Sequence, residues 1–394
     1  MSFENNIWKS INSLRGNEEL SKTRNLVISA LYIRYEDSTN FSELFNGPSF
    51  NVYNSFLDLF KSDYQLLTLG DIIHELYLDR LTIDDNSFKD LLYLVDQIEK
   101  EIPDYSKAFD FILSLFSKSL GKSGQENITP KSIRSIFKLI VGEVDSIIDP
   151  ACGTGGLLAE FISEESIKLI GQDINRESVA ISKLRFAFNN SAKLQNGDSI
   201  VDEQLNSFSS DAVIINPPFN LRYNSRDIYN ESAFKYGLPP QNNANFLWLQ
   251  QGLNLVNKNG RVVVVLSNSS LSSGGKDGEI RRKMLEDNIV ESIISLPSNL
   301  FDYTSIPVSI WVLNPDRENK DNVLLIDASN LGEMTNRHQR ELSVVEVESI
   351  CNIYNEYSKK ETIVSNEYSR FCKVVSNEEL TDNDFILTPS RYFN

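Results

Sequence analysis

The segment from Ala212 to Phe219 has the most specific chemical pattern in the sequence, an apolar run followed by Asn-Pro-Pro-Phe. Two prolines fix φ and remove two N–H donors, which predicts a rigid extended turn after a buried strand. The side-chain oxygen of Asn216 and the carbonyl oxygen of Pro217 can then accept both hydrogens of a planar amine. Phe219 can stack on the ring that bears this amine. We predict that the catalytic residues are Asn216, Pro217, Pro218 and Phe219.

A glycine-rich turn, Pro-Ala-Cys-Gly-Thr-Gly-Gly, follows the apolar run that ends at Asp149. Glycines allow a ligand to approach the backbone, and the start of the following helix favours a negative group such as a carboxylate. The spacing differs from the Gly-x-Gly-x-x-Gly fingerprint of dinucleotide sites, which argues against NAD. A turn of this kind could also be a tight strand-to-helix connection, so it does not define a function by itself.

Two further acids come directly after apolar runs, Asp173 after the second predicted strand and Asp198 after the third. An acid at the carboxyl edge of a parallel sheet suits hydrogen bonds to ribose hydroxyls. The structural alternative is a helix start, since Asn175 is a good N-cap for the helical pattern at 176–188. Together with Asp149, these acids predict one ligand-binding edge.

Composition excludes several classes of site. Two histidines and three scattered cysteines are too few for a Ser-His-Asp hydrolase, a disulfide framework or a Cys/His metal centre, so we expect no metal. No long apolar run or basic leader indicates a membrane span or secretion, and we expect a cytoplasmic protein. The formal charge of −17 does not favour nucleic acid. A nucleic-acid substrate would need a local basic groove or a basic partner.

The pattern around these residues predicts an α/β fold with a doubly wound, mostly parallel sheet. Apolar residues recur at helical spacing in residues 1–120, which predicts a helical N-terminal domain. Short β-branched runs alternate with helical stretches in 121–330, the predicted catalytic domain. Residues 331–394 are predicted as a short helical C-terminal tail that makes subunit contacts.

The glycine turn followed by Asn-Pro-Pro-Phe resembles the N6-adenine DNA methyltransferases, in particular the modification subunits of type I restriction–modification systems. The segments Glu279–Leu285 and Leu296–Pro307 are similar to late blocks of that family, Ile7–Gly16 to its N-terminal domain, and Thr388–Tyr392 to its ending. The resemblance implies a Rossmann-like fold and S-adenosylmethionine as cofactor. It also implies transfer of a methyl group to a flipped adenine. The residues that would bind the cofactor are Glu126, Ile128, Thr129, Pro130, Asp149, Ala151, Gly153, Thr154, Gly155, Gly156, Asp173, Ile174 and Asp198.

In this scheme the glycine turn surrounds the methionine end, Asp173 binds the ribose, Asp198 meets the adenine amine and Ile174 packs on the purine. Thr129 and Pro130 close the site from the other side. The chain departs from the family before Thr129, where two aromatic residues are usual and this sequence has Glu126-Asn127-Ile128. The implied cofactor contact there is correspondingly less aromatic.

The partners implied are double-stranded DNA, a separate specificity subunit and a second copy of this chain, and a restriction subunit is a further candidate. The ending Ser390-Arg391-Tyr392 is a candidate for subunit contacts. Two alternatives stay open at this point. Asn-Pro-Pro-aromatic motifs also occur in methyltransferases that act on rRNA or on release factors, and a methyltransferase fold can serve as a non-catalytic scaffold.

Overall fold

The chain divides into two compact units. The first contains Met1–Ile128, Gly153–Gly155 and Asn175–Asn190, and the second contains Thr129–Cys152, Gly156–Ile174 and Ser191–Asn394. The computed structural model describes residues 3–14, 19–47, 51–62, 72–120, 128–162, 167–189, 191–201, 203–228, 230–301, 304–317, 321–360 and 371–393.

The helices are α1 Phe3–Leu14, α2 Leu20–Glu36, α3 Ser38–Asn46, α4 Val52–Ser62, α5 Ile72–Glu75, α6 Asp85–Glu101, α7 Tyr105–Leu120, α8 Lys131–Val141, α9 Arg176–Arg185, α10 Asn245–Leu255, α11 Gly275–Glu286, α12 Val344–Lys360 and α13 Asn377–Asp382. The strands are β1 Ser146–Asp149, β2 Lys168–Asp173, β3 Ala192–Asn196, β4 Ser210–Ile215, β5 Val256–Ser267, β6 Val290–Ser295, β7 Val308–Leu313, β8 Asn322–Asp327, β9 Glu333–Met334, β10 Arg340–Glu341 and β11 Cys372–Ser376.

The first unit is helical, as the sequence predicts, and it contains α1 to α7 and α9. Helix α2 is buried over most of its length, since Leu26, Ile28 and Leu31 are all inaccessible. Helix α9 belongs to the same apolar core through Ile181 and Leu184. Polar contacts hold both ends of α9 within this unit. Glu177 accepts bonds of 2.8 Å from Arg24 and from Asn25, and Arg185 pairs with Asp110 at 2.5 Å.

The second unit is built on a sheet whose strand order is β11-β8-β6-β7-β5-β4-β1-β2-β3. The pairs between β5 and β3 along this order are parallel, and so is the pair of β6 with β8. Strand β7 is antiparallel to both of its neighbours, and β11 is antiparallel to β8. The predicted mostly parallel sheet with helices is therefore confirmed. Its central strands are inaccessible, as in Val262–Leu266 of β5, because both faces are covered.

The C-terminal region contains helices α12 and α13, but it differs from a purely helical tail because it also contains the paired strands β9 and β10 and strand β11. Strand β11 pairs with β8 and adds an edge to the sheet. The end of the chain is also packed into the second unit, since Tyr392 belongs to its apolar core and donates a bond of 2.6 Å to the carbonyl of Ile386. Of the ending named above as a subunit contact, only Ser390 and Arg391 are exposed.

Helices of the described residues are all too short or too polar to cross a membrane.

Candidate active site

The predicted catalytic asparagine is buried immediately after β4, and its side chain has one hydrogen-bond partner among the described residues. Asn216 is 7% exposed, and its Nδ2 donates a bond of 2.8 Å to Oγ1 of Thr129. Its other end, Oδ1, is buried and has no hydrogen-bond partner among the described residues. A buried acceptor without a partner is costly, so such a group indicates a position where a ligand donates.

The turn after Asn216 places an aromatic ring beside it. Pro217 is buried and Pro218 is exposed, and Phe219 is half-buried. The Phe219 ring meets the ring of Phe301 edge-on, with 5.3 Å between centroids and an interplanar angle of 90°. This edge-on contact fixes the tilt of the Phe219 ring. A ring that is held in this way suits stacking of a planar base.

Asp149 ends β1 and is the most buried acid at this edge of the sheet, with 1% exposure. Its Oδ1 accepts a bond of 3.0 Å from the backbone N–H of Ala151. Burial raises the pKa of the Asp149 carboxyl to about 8, and the nearby charge of Asp173 acts in the same direction. The bond from Ala151 opposes this shift. A carboxyl with such a pKa takes up or releases a proton near neutral pH.

The glycine turn after Asp149 needs glycine at two positions. Gly153 and Gly155 have φ of +52° and +79°, a region that other residues rarely adopt. A Cβ at Gly153 would meet nothing within 4 Å, whereas a Cβ at Gly155 would lie 2.7 Å from the Phe186 ring. Thr154, between them, is buried, and Ala151 is half-buried.

Arg134 of α8 supports the end of this turn and was not predicted from the sequence. Its Nη1 donates to the carbonyl of Gly156 at 3.4 Å and pairs with Glu160 at 3.2 Å. A basic residue in the first turn of a helix opposes the helix dipole. That conflict is the signal by which Arg134 could have been found.

Asp173 ends β2, Ile174 follows it, and both residues are held by the neighbouring strand. Nδ2 of Asn196 donates bonds of 2.9 Å to the carbonyls of both residues, and the N–H of Gly197 also donates to Asp173. Ile174 is 68% exposed. A large, exposed apolar side chain beside an acid offers a surface on which a planar ring can pack. Asn196 is a second supporting residue that the sequence did not single out.

Asp198 lies in the turn after β3, where its Oδ1 accepts a bond of 3.0 Å from the N–H of Ile200. Strands β4, β1, β2 and β3 are adjacent and parallel. Their carboxyl ends therefore bring Asn216, Asp149, Asp173 and Asp198 to one edge of the sheet, with neighbouring strands about 4.8 Å apart. The acids are also staggered, because Asp149 pairs with Gly171, two residues before Asp173.

The remaining predicted contacts lie before α8. Thr129 is buried against Asn216, and Pro130 is the residue before the first turn of α8. Ile128 packs on the apolar core of the first unit. Glu126 lies outside the described residues. Among the described residues, no cluster of His, Cys, Asp and Glu could hold a metal ion.

The sequence profile of the N-6 DNA methylase family matches residues 101–394. Among curated proteins, the chain is 32% identical to the type I restriction enzyme HindI methylase subunit of Haemophilus influenzae, over 72% of this chain and 67% of that protein. It is 26% identical to the MjaIX methylase subunit of Methanocaldococcus jannaschii, over 99% of this chain and 83% of that protein.

Among solved structures, the chain resembles a type I restriction-modification system methyltransferase subunit from Streptococcus thermophilus. The TM-score is 0.79 at 19% identity, over 99% of both chains. At this identity the likeness concerns the fold.

Proposed function

Because this chain belongs to the N-6 DNA methylase family, we propose that it transfers a methyl group from S-adenosylmethionine to N6 of a flipped adenine in double-stranded DNA. It is an adenine-specific DNA methyltransferase, the methylase subunit of a type I restriction–modification system. The observation that carries the assignment of the site is the buried Oδ1 of Asn216, which has no partner among the described residues.

The residues at the sheet edge fit S-adenosylmethionine. Ile174 offers an exposed apolar side chain for the purine, and Asp173 beside it suits the ribose hydroxyls. Open space at the Cβ position of Gly153 leaves the turn accessible for the methionine end. Asp198 would accept from the adenine amine of the cofactor, and Thr129, Pro130 and Thr154 would border the site. When bound, this cofactor supplies an electrophilic methyl group.

The chain's own residues make the target nitrogen reactive. The lone pair of an exocyclic adenine amine is delocalised into the ring, so the amine is a poor nucleophile. Oδ1 of Asn216 and the carbonyl of Pro217 would each accept one of its hydrogens. Two fixed acceptors favour a pyramidal nitrogen with a localised lone pair, and catalysis then consists mainly of positioning and electrostatics.

The target base must leave the duplex to reach a buried asparagine. Phe219 would receive it, and this assignment is supported by its half-buried ring and by the edge-on contact of that ring with Phe301. Exposed Arg222 and Arg226 follow within a few residues and provide local positive charge. We assign these two residues to phosphate contacts near the flipped nucleotide.

Sequence recognition is assigned to a separate specificity subunit. The chain carries a formal charge of −17, and the C-terminal region folds onto the sheet through β11 instead of forming a basic reading surface. The complex would contain two copies of this chain with one specificity subunit. The exposed parts of the C-terminal region (331–394), which follows the N-terminal helical domain (1–120) and the catalytic domain (121–330), are then the candidate surface for subunit contacts.

The test is methyl transfer from labelled S-adenosylmethionine by the chain reconstituted with its specificity subunit. Double-stranded DNA, ribosomal RNA and a release factor are offered in parallel, and the DNA product is sequenced for N6-methyladenine. We expect label in DNA alone, on adenine, at one defined site. Label in RNA or in the release factor, or no transfer to any of the three, would refute the proposal.

A further inference from the structure

Thr129 is the partner of Asn216 even though 87 residues separate them in the sequence. Both side chains are more than nine-tenths buried, and both residues belong to the second unit. The 2.8 Å distance between Nδ2 and Oγ1 is within the range of a well-formed hydrogen bond. Thr129 therefore contacts the residue proposed to bind the target amine.

The two ends of an asparagine amide have opposite roles, since its oxygen accepts and its nitrogen donates. Pro217 and Pro218 restrict the backbone after Asn216, so rotation of the side chain is the main freedom left at this position. If the amide turned over, its N–H groups would face the N–H groups of the target amine. Methylation consequently requires one of the two amide orientations.

A threonine hydroxyl could pair with either end of the amide. In the orientation with Oδ1 directed at the amine, however, Nδ2 must find an acceptor inside the protein, and Oγ1 of Thr129 is that acceptor. Without it Nδ2 would be buried and unsatisfied, so the productive orientation would become less stable.

We infer that Thr129 is a positioning residue, whose hydroxyl holds the Asn216 amide in the orientation that presents Oδ1 to the target amine. This inference rests on the proposed function. It gives Thr129 a role toward Asn216 that is separate from the cofactor contact implied by the family resemblance.

The kinetic test compares Thr129→Val with Thr129→Ser in the reconstituted complex at saturating S-adenosylmethionine. Loss of the hydroxyl should lower kcat for adenine methylation about 10-fold to 100-fold, as expected for a donor left without a partner. The dissociation constant of the cofactor is measured in parallel, so that a lost cofactor contact is distinguished from a lost positioning role, and Thr129→Ser should restore kcat to within threefold. Thr23→Val, at another buried threonine, is the matched control and should leave kcat unchanged. If Thr129→Val weakens cofactor binding while kcat is unchanged, the inference is wrong.

Coupling between the two residues provides a second readout. In the Asn216→Ala background, Thr129→Val should cause no further loss of rate, because the amide that Thr129 orients is absent. Equal losses in the presence and absence of Asn216 would overturn the inference.

A third measurement needs no methylation and therefore separates this inference from the proposed function. The side-chain amide of Asn216, labelled with ¹⁵N in the full chain, is identified by its loss in Asn216→Ala. Its resonance should shift in Thr129→Val and stay near its original position in Thr129→Ser. An unshifted resonance in Thr129→Val excludes the hydrogen bond. If Thr129→Val shifts the resonance but the unaltered reconstituted complex methylates no DNA, the hydrogen bond is supported and the proposed function is refuted.

Discussion

The ring of Phe219 rests edge-on against the ring of Phe301, at the position where the proposed target base would stack. Phe301 is 1% exposed, so the half-buried Phe219 has a fixed support on the side toward the core. An edge-to-face pair contributes about 0.5–1.5 kcal/mol beyond its burial. The orientation of Phe219 is therefore a property of the folded protein before any base arrives.

Phe301→Leu should remove this support and slow methylation of duplex DNA by roughly 2-fold to 10-fold, since the lost pair contributes about 0.5–1.5 kcal/mol. Cofactor affinity should be unchanged. Single-turnover kinetics gives the rate, and 2-aminopurine at the target position reports flipping. Phe246→Leu breaks another edge-on pair, with Trp311, in the same unit and serves as the control. Equal slowing by both variants would mean that only general stability matters.

Asn216→Ala removes one of the two acceptors from the target amine. Loss of a single preorganised polar contact of this kind typically costs about 10²–10³ in rate. We expect that loss in kcat, with S-adenosylmethionine affinity nearly intact by calorimetry. Asn254→Ala, on α10, is the control for asparagine removal and should remain active. Full activity of Asn216→Ala in the reconstituted complex would remove Asn216 from the mechanism.

The Asn-Pro-Pro-Phe turn, the glycine turn, the acid that ends β2 and the acid after β3 could be predicted because each is local in sequence. The contact of Asn216 with Thr129 could not, because it joins segments 87 residues apart and neither segment encodes the other. Asn196 and Phe301 were missed for the same reason. Their importance lies in what they touch in the folded chain.

The same distinction between local and long-range features applies to the sheet. Buried runs such as Val262–Leu266 predict central strands, and the structure confirms them. The mostly parallel direction of the sheet was also predicted, but a run that is buried on both faces does not show which individual strands are antiparallel. The insertion of antiparallel β7 between β5 and β6, and the edge position of β11, depend on chain connections and were not foreseen.

The affinity for S-adenosylmethionine should depend on pH through Asp149. The pKa of about 8 lies above the value of 3.8 for an unperturbed carboxyl, because burial favours the neutral acid. If Asp149 binds the positively charged methionine end, it must first lose its proton. Binding should therefore weaken as the pH falls below about 8, by up to about tenfold per pH unit. Calorimetry between pH 6 and 7.5 measures this slope, and Asp149→Asn should bind more weakly with no such slope. A flat profile in the unaltered chain would contradict a role for Asp149 ionisation.

The two glycines with positive φ offer a matched pair of substitutions in the cofactor turn. Gly153→Ala places a methyl group in open space and should cost only the backbone strain, about 1–2 kcal/mol. Gly155→Ala bears the same kind of strain and also pushes a Cβ to 2.7 Å from Phe186. We expect a clearly larger fall in the free energy of unfolding for Gly155→Ala, measured by denaturant titration. Adding Phe186→Leu to Gly155→Ala should reduce its loss of unfolding free energy to that of Gly153→Ala. Equal losses for the two single variants would show that the Phe186 ring moves aside without a measurable penalty.

The isolated chain should bind DNA weakly and without sequence preference. Its formal charge of −17 repels phosphate, and phosphate neutralisation supplies most non-specific affinity. At physiological salt we expect a dissociation constant weaker than about 10⁻⁶ M, the tighter end of ordinary non-specific binding. Addition of the specificity subunit should give a complex that binds and methylates one defined site. The complex carrying Asn216→Ala should bind the same site without methylating it, which separates recognition from chemistry. Site-specific methylation by the purified chain alone, at physiological salt, would show that recognition resides in this chain and that no second subunit is needed to read the sequence.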